Sequence, residues 1–282
     1  MIIKLFFIIF VASNLFSIEN ISNLTKTTDS DGDGYSDLDE IHFGSDPNNS
    51  NSIIYKGRWP YNRNKSKLID IDFKDCETLP FGNGCECISS DECMIGSSCE
   101  ILFTSQNCMP QPGAKIPNFI GTDQHGDQVN LYDFANQDKY ILIEITGQWS
   151  KAANTMSQWL SGNPETIVTM RWWQENFNYV KDLIDSNQIY YIRVMHQGPF
   201  KDEVITDDDI KIWNREYFNE NIVNLADPNS KIKTWVRPTG YPCLMLFNPD
   251  MTLNTPAEGI SGDTQRRRGL KAPFESIIRL NK

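Results

Sequence analysis

Two stretches decide the fold: residues 140–146, YILIEIT, and residues 189–195, IYYIRVM. Each is a short run of β-branched, aromatic and aliphatic side chains, suited to a buried central strand. Outward from them the pattern turns helical. Asn163 can cap a helix with Pro164 at its first position, after which Met170, Trp173, Phe177, Val180 and Ile184 recur at spacings of three and four. Thr206 followed by Asp207, Asp208 and Asp209 reads as a second helix start, with Ile210, Trp213 and Tyr217 along one face. Ser230 is placed to cap a third. Residues 243–247 (CLMLF), the turn Asn248-Pro249-Asp250 and residues 252–254 read as strand, turn and strand, closed by a helix over 273–280. This order predicts an α/β fold, a sheet flanked by helices.

Composition bounds what surrounds that layer. The 282 residues carry a formal net charge of -11, with 26 Lys and Arg against 37 Asp and Glu. Phosphate neutralisation needs clustered cations, so a nucleic-acid partner is not expected. The one basic run, Arg266 to Arg268, reads as a solvated loop. Residues 1–17 read as a secretory signal peptide: Lys4 is the positive region, residues 5–12 the apolar region, and Leu15 and Ser17 precede the cleavage site. No Cys follows to take a lipid, and no later stretch reaches the ~18 apolar residues of a membrane span. A secreted or periplasmic protein is expected. Its segments are then an acidic stalk and linker (18–56), a cysteine-rich module (57–112) and the α/β domain (113–282).

The stalk holds Asp29-Ser30-Asp31-Gly32-Asp33-Gly34-Tyr35-Ser36-Asp37-Leu38-Asp39-Glu40, which satisfies the calcium-loop pattern D-x-D-x-D-G-x5-E at every position. Ca²⁺ wants six to eight oxygens. Asp29, Asp31 and Asp33 would each supply one, Tyr35 its carbonyl, Asp37 a direct or water-mediated ligand, and Glu40 both carboxylate oxygens. The alternative is a solvated acidic linker. With Phe43-Gly44-Ser45-Asp46-Pro47 after it, and no second loop to pair with, the unit resembles the calcium repeats of thrombospondin type 3.

Cys76, Cys85, Cys87, Cys93, Cys99 and Cys108 fall in one short segment, and in an exported chain they read as three disulfides. Six cysteines allow 15 connectivities, which remain open. Zinc is the weaker alternative, because paired C-x2-C knuckles are absent. The seventh cysteine, Cys243, sits on a strand expected to be buried.

Residues 113–119 (GAKIPNF), Asp123-Gln-His-Gly126, Val129-Asn-Leu131 and Asp133-Phe134 resemble the amino-terminal hairpin of the redoxin family, the thioredoxin-like domains of peroxiredoxin and TlpA type. Residues 140–147 followed by Trp149 are similar to that family's central strand and active-site tryptophan. Pro238-Thr-Gly-Tyr241-Pro242 is similar to its cis-proline loop. The resemblance implies a thioredoxin-like sheet and a cis bond at Tyr241-Pro242. It also implies that Glu144, six residues before Ser150, occupies the place of a buried acid that accepts a proton from the resolving thiol.

The departure from the family is chemical. Where it has W-C-x-x-C, this chain reads Trp149-Ser150-Lys151-Ala152-Ala153. Dithiol exchange needs one thiolate to attack and a second thiol to resolve the mixed disulfide. Ser150 is a poor nucleophile without a base, and Ala153 resolves nothing. The histidines, His42, His125 and His196, show no shared ligand spacing. The expectation is therefore a calcium-binding exported protein whose redox-degenerate domain binds a protein partner or extended peptide. The alternative is a single-cysteine oxidoreductase or peroxidase using Cys243, which lies beside the cis-proline loop.

Overall fold

The computed structural model describes residues 28–69, 71–102, 105–170, 172–238, 240–259 and 271–281, with the backbone alone at 102 and 257–259. The expected signal peptide and the Arg266 to Arg268 run lie outside these residues. The chain divides into two compact units, Met1–Ile54 and Tyr55–Lys282.

In the first unit the calcium-type loop leads into α1 (Asp37–Phe43), capped by Ser36, whose side chain accepts from the Asp39 amide, and closed by Gly44 at φ 87°.

The second unit opens with a strap tied down by buried carboxylates. Asp133 accepts from the Tyr55 hydroxyl at 2.6 Å, the Asn62 amide at 3.0 Å and the Lys65 ammonium at 2.6 Å. Asp123 accepts from Trp59 Nε1 at 2.7 Å. Lys65–Leu68 forms the short α2. The cysteine-rich segment follows, within the same compact unit as the α/β segment. Its antiparallel pair β1 (Ser97–Leu102) and β2 (Ser105–Pro110) is stapled by Cys76–Cys85, Cys87–Cys99 and Cys93–Cys108. The core of this segment is mainly its own sulfur: Cys87, Cys93 and Cys108 are buried together, with Phe81 and Cys99 against them. These pairings also exclude the zinc alternative, since a half-disulfide is no thiolate ligand. Cys93–Cys108 spans 15 residues, a loop whose closure is worth about 3 kcal/mol on chain-entropy grounds. Changing both to Ala is expected to lower unfolding stability by about that amount, read as a fall in the urea midpoint. An unchanged midpoint would refute the staple's role.

The hairpin β3 (Ile120–Thr122) and β4 (Gln128–Asn130) precedes the central sheet. That sheet contains β5 (Ile141–Gly147), β6 (Tyr190–Gln197), β7 (Ile222–Ala226), β8 (Cys243–Phe247) and β9 (Leu253–Gly259), in spatial order β7-β6-β5-β8-β9. β5, β6 and β7 are parallel, while β8 runs antiparallel to β5 and β9 to β8. The two runs that decided the fold are thus neighbours at the sheet centre. Helices α3 (Lys151–Leu160), α4 (Asn178–Asp185), α5 (Asp207–Glu216), α6 (Lys231–Val236) and α7 (Lys271–Leu280) connect or close the layer. One core packs Leu142, Tyr191, Ile222 and Leu244 of the sheet against Trp159, Phe177, Val180 and Phe274. A second gathers Met195, Ile205, Ile210, Trp213, Tyr217 and Ala226.

Several expectations are corrected. The pattern from Asn163 is not one helix. Gly162, at φ 96°, ends the turn after α3, and among the described residues of 164–177 the helical structure is the two 3-10 turns Ile167–Thr169 and Glu175–Phe177 before α4 begins. The stripe still faces inward, because Trp173 meets Trp159 edge to face at 4.8 Å and Phe177 meets Phe274 at 5.2 Å. Strand β7 was not anticipated: its sequence, IVNLA, is interrupted by Asn224, which a buried polar row accommodates. Thr206 does start a helix as expected, and it forms a capping box with Asp209. Ser230 does not cap α6; the Asp227 carboxylate accepts from the Lys231 and Ile232 amides, both at 2.9 Å.

Candidate functional site

Ser150 is the N-cap of α3, its hydroxyl accepting from the Ala153 amide at 3.4 Å. It also donates to the Tyr241 carbonyl at 3.2 Å, joining the start of α3 to the loop whose Tyr241-Pro242 bond is cis, as the resemblance implied. The Asn154 amide group holds this entry turn by donating to the carbonyls of Gln148 and Ser150, both at 2.8 Å, while the Tyr217 hydroxyl donates to Asn154 Oδ1. Trp149 lies half-buried beside Tyr241, ring centroids 5.9 Å apart and edge to face, and its Nε1 donates to Gln197 Oε1 at 2.7 Å. Trp149, Ser150, Tyr241 and Pro242, far apart in sequence, thus meet at one place. Val204, 58% exposed, is bridged to Gln197, which accepts from Trp149, and the Lys201 ammonium stands 6.0 Å from the Trp149 ring; Phe200, the residue before Lys201, is 74% exposed.

One member was missed by sequence reasoning. His196 Nε2 is 2.6 Å from the Tyr241 hydroxyl, and its Nδ1 is 3.3 Å from Ser230 Oγ. Burial, and secondarily the charge of Lys233, push the imidazole down to about 4. Burial, then the neighbouring Cys243, pushes the Tyr241 phenol up to about 12, so it stays protonated and donates to Nε2. Nδ1–H then donates to Ser230, which explains why Ser230 is not spent on capping α6. His196 therefore offers Ser150 no base, since both its nitrogens are engaged elsewhere. Ser230 has no amide pair to stabilise an oxyanion, because the Lys231 and Ile232 amides serve Asp227. The only signal in the sequence was a histidine ending an apolar strand.

His196 makes stability pH-dependent. Its folded pKa lies below the ordinary 6.5, so the unfolded chain binds the proton more readily. The stabilisation is complete above pH 6.5 and is lost as pH falls towards 4, a total of about 3 kcal/mol. His196→Gln should remove that dependence, seen as a shrinking difference from wild type in urea unfolding between pH 7.5 and pH 4.5. A difference constant with pH would refute it.

Glu144 is not the lone acid its position implied. It is fully buried, paired through Oε2 with Arg193 Nε at 2.7 Å and accepting the Tyr191 hydroxyl at 2.6 Å. Arg193 Nη1 continues the row to Asn224 Oδ1 at 3.0 Å. Burial pulls the guanidinium down, but Glu144 and Tyr191 outweigh it and hold Arg193 above its ordinary value. Cys243 has no exposed surface and pairs with Ile145 in the sheet, on the opposite face from Glu144.

In the first unit the carboxylate oxygens of Asp29, Asp31 and Asp33 lie within 4.8 Å of one another. Asp29 accepts from the Gly32 amide at 2.7 Å and the Gly34 amide at 3.1 Å, which curls the loop inward. Asp31 Oδ2, Asp33 Oδ2 and Glu40 Oε2 are buried without a hydrogen-bond partner among the described residues. Burial chiefly, then Asp31, Asp33 and Asp37, raises Glu40 to about 7 against the lowering bond from Ser45. Unsatisfied, mutually repelling oxygens are what a hard divalent cation would satisfy, so the donor set fits Ca²⁺. Asp37 is held by its own contacts. Both its oxygens are engaged by Ser30, through the amide at 2.8 Å and the hydroxyl at 2.7 Å.

No family model matches the chain, and no curated protein does. Its structural neighbours are redoxin folds of the thioredoxin-like type. The exposed lipoprotein thioredoxin of Streptococcus pneumoniae is 12% identical, covering 56% of this chain and 98% of that one, with a TM-score of 0.37. The thioredoxin domain of a thiol-disulfide oxidoreductase from Bacteroides vulgatus is 17% identical, covering 61% and 98%, TM-score 0.37. A thiol peroxidase from Chromobacterium violaceum is 14% identical, covering 61% and 87%, TM-score 0.41. Among the described residues no helix is long and apolar enough to cross a membrane.

Proposed function

We propose that this chain is an exported calcium-binding protein whose thioredoxin-like domain grips an extended polypeptide and performs no dithiol exchange. One observation carries the reading: the start of α3 and the cis-proline loop meet with a serine and an alanine at the two thiol positions, and the nearby Cys243 is fully buried. Trp149, Tyr241 and exposed Phe200 offer the aromatic surface on which a partner's side chains would anchor. Main-chain hydrogen bonds along an extended segment would supply the rest. Trp149→Ala with Tyr241→Ala should weaken a captured partner about tenfold or more. Unchanged affinity for every captured partner would end this reading.

Calcium is the second part of the proposal. Asp29, Asp31 and Asp33, the Tyr35 carbonyl and Glu40 would hold it, with Asp37 reaching it through water if at all. The ion would offset part of the loop's negative charge and order the stalk. Calorimetry on the chain from residue 18 should show Ca²⁺ binding with Kd on the order of 10⁻⁴–10⁻³ M, the range of extracellular modules, and Asp31→Asn should abolish it. Absence of any Ca²⁺ heat would remove the ion from the account.

A further inference from the structure

Acid is concentrated in the cysteine-rich segment of the second unit. Residues 113–282 carry 18 Lys and Arg against 21 Asp and Glu, close to balance, whereas residues 71–112 carry seven acids against Lys74 alone. Cations from α6 and the residue after it meet this segment at two places, the Arg237 guanidinium at the Gly84 carbonyl and the Lys231 ammonium over the Phe73 ring, both outside residues 88–95. That stretch also holds the two most exposed large hydrophobic side chains among the described residues, Ile88 at 85% and Ile95 at 96%. A single exposed isoleucine needs no explanation, but two of them on either side of Asp91 and Glu92 do.

Neither isoleucine hangs from a loose loop. Ile88 follows Cys87, whose amide donates to the Gln106 carbonyl at 3.1 Å and whose sulfur is bonded to Cys99, and the Ile88 amide donates to Glu92 Oε2 at 2.8 Å. The Cys87 and Cys93 sulfurs lie within 4.8 Å of each other, so residues 88–92 form a short excursion closed at its base. Ile95 stands in a turn closed by the Ser97 amide on the Met94 carbonyl at 3.1 Å. The turn is fixed on one side by the Met94 amide, which donates to the Phe81 carbonyl at 2.9 Å, and on the other by the Gly96 carbonyl, which accepts from Gln111 at 2.9 Å. The Phe81 amide donates to the Glu92 carbonyl at 2.6 Å, which brings Leu79, 65% exposed, close to the same excursion. Side chains this exposed stand clear of the surface and can be reached over most of their contour. A β-branched side chain on a fixed backbone also loses little further freedom when a partner covers it.

We propose that this surface docks a basic polypeptide segment carrying aliphatic side chains, an interaction separate from the groove at Trp149. The segment's aliphatic groups would cover Ile88 and Ile95, with Leu79 at the margin, and its Lys or Arg groups would face Asp91 and Glu92. Charge selects the partner. An acidic segment would be repelled, and a purely apolar one would strip water from the carboxylates without compensation. Self-association through the same face would set acid against acid.

The test is fluorescence anisotropy of a labelled Lys-Leu-Lys-Leu-Lys-Leu-Lys peptide titrated with the chain from residue 18. Saturable binding that weakens as salt rises is expected, with the Lys-Ser-Lys-Ser-Lys-Ser-Lys analogue about fivefold weaker or more. Ile88→Ser with Ile95→Ser should weaken the leucine peptide by about fivefold or more, and Asp91→Asn should weaken it and reduce the salt dependence. These side chains are exposed, so the urea midpoint should not move. Equal affinity of the wild type and the double isoleucine variant would place the peptide on another acidic surface, the stalk included, and overturns the proposal. So does the absence of saturable binding by about 1 mM. A dimer in sedimentation, or cosedimentation with phosphatidylglycerol vesicles, abolished in either case by the isoleucine changes, would give the face to a second copy or to a lipid surface and overturn it too. Trp149→Ala with Tyr241→Ala should bind the peptide as the wild type does, so failure here leaves the groove reading standing.

Discussion

Installing cysteine at both Ser150 and Ala153 should turn this protein into a dithiol oxidoreductase. Ser150 is the N-cap and Ala153 the third residue of α3, so a thiolate at 150 would sit at the positive end of the helix dipole, where its pKa falls. A thiol at 153 would be one turn away, within the Cα separation a disulfide accepts. In each cycle the 150 thiolate would attack a substrate disulfide, the 153 thiol would displace it, and the protein would be left oxidised and the substrate as two thiols. Dithiothreitol would then reduce the protein. With insulin as substrate the variant should exceed the wild-type rate on the order of tenfold or more, since a thiolate is a nucleophile and an unassisted alcohol is not. Ser150→Cys alone should trap mixed disulfides. If the double variant forms its disulfide yet turns over no substrate, the site is obstructed as well as lacking sulfur, and the proposed groove would have to be given up. Wild-type turnover that vanishes with Cys243→Ser would instead establish the single-cysteine enzyme.

The second large effect is expected at Arg193→Met. The substitution keeps much of the side chain's volume and leaves the Glu144 carboxylate fully buried with the Tyr191 hydroxyl still donating to it. Removing one partner of such a pair typically costs about 3–5 kcal/mol, because the desolvation of the other is no longer offset. For a domain of this size that lowers Tm by roughly 6–20 °C. The pair as a whole need not be stabilising. Glu144→Leu combined with Arg193→Met should recover most of the loss, since a well-packed apolar pair often equals a buried ion pair. Thermal unfolding of wild type, both single variants and the double variant closes the cycle. Equal destabilisation by the single and double changes would mean that volume alone matters there.

Much of the fold was legible because it rests on local patterns. β5 and β6 followed from runs whose β-branched residues suit no other place, and the cap of α5 from Thr206 and Asp209. The helix read from Asn163 failed where periodicity ran on past a break: apolar residues at helical spacing also suit irregular turns that lie on a core. Strand β7 was hidden by Asn224, which is tolerable there because Arg193 donates to its Oδ1 and its Nδ2 donates to Asn214 Oδ1. The Glu144–Arg193 pair did leave a trace. Each is the fifth residue of its quoted seven, and parallel pairing in register sets them side by side.

The sequence by itself determined which chemistry is available: six cysteines close together, a complete set of calcium-loop oxygens, and no sulfur at Ser150 or Ala153. Those are statements about residue types and short spacings, which no folding changes. The tertiary structure alone decided the disulfide connectivity, the engagement of Glu144 by Arg193 and the binding of His196 to Tyr241. Each of these depends on groups brought together by sheet pairing and backbone closure over many tens of residues, for which local periodicity carries no signal.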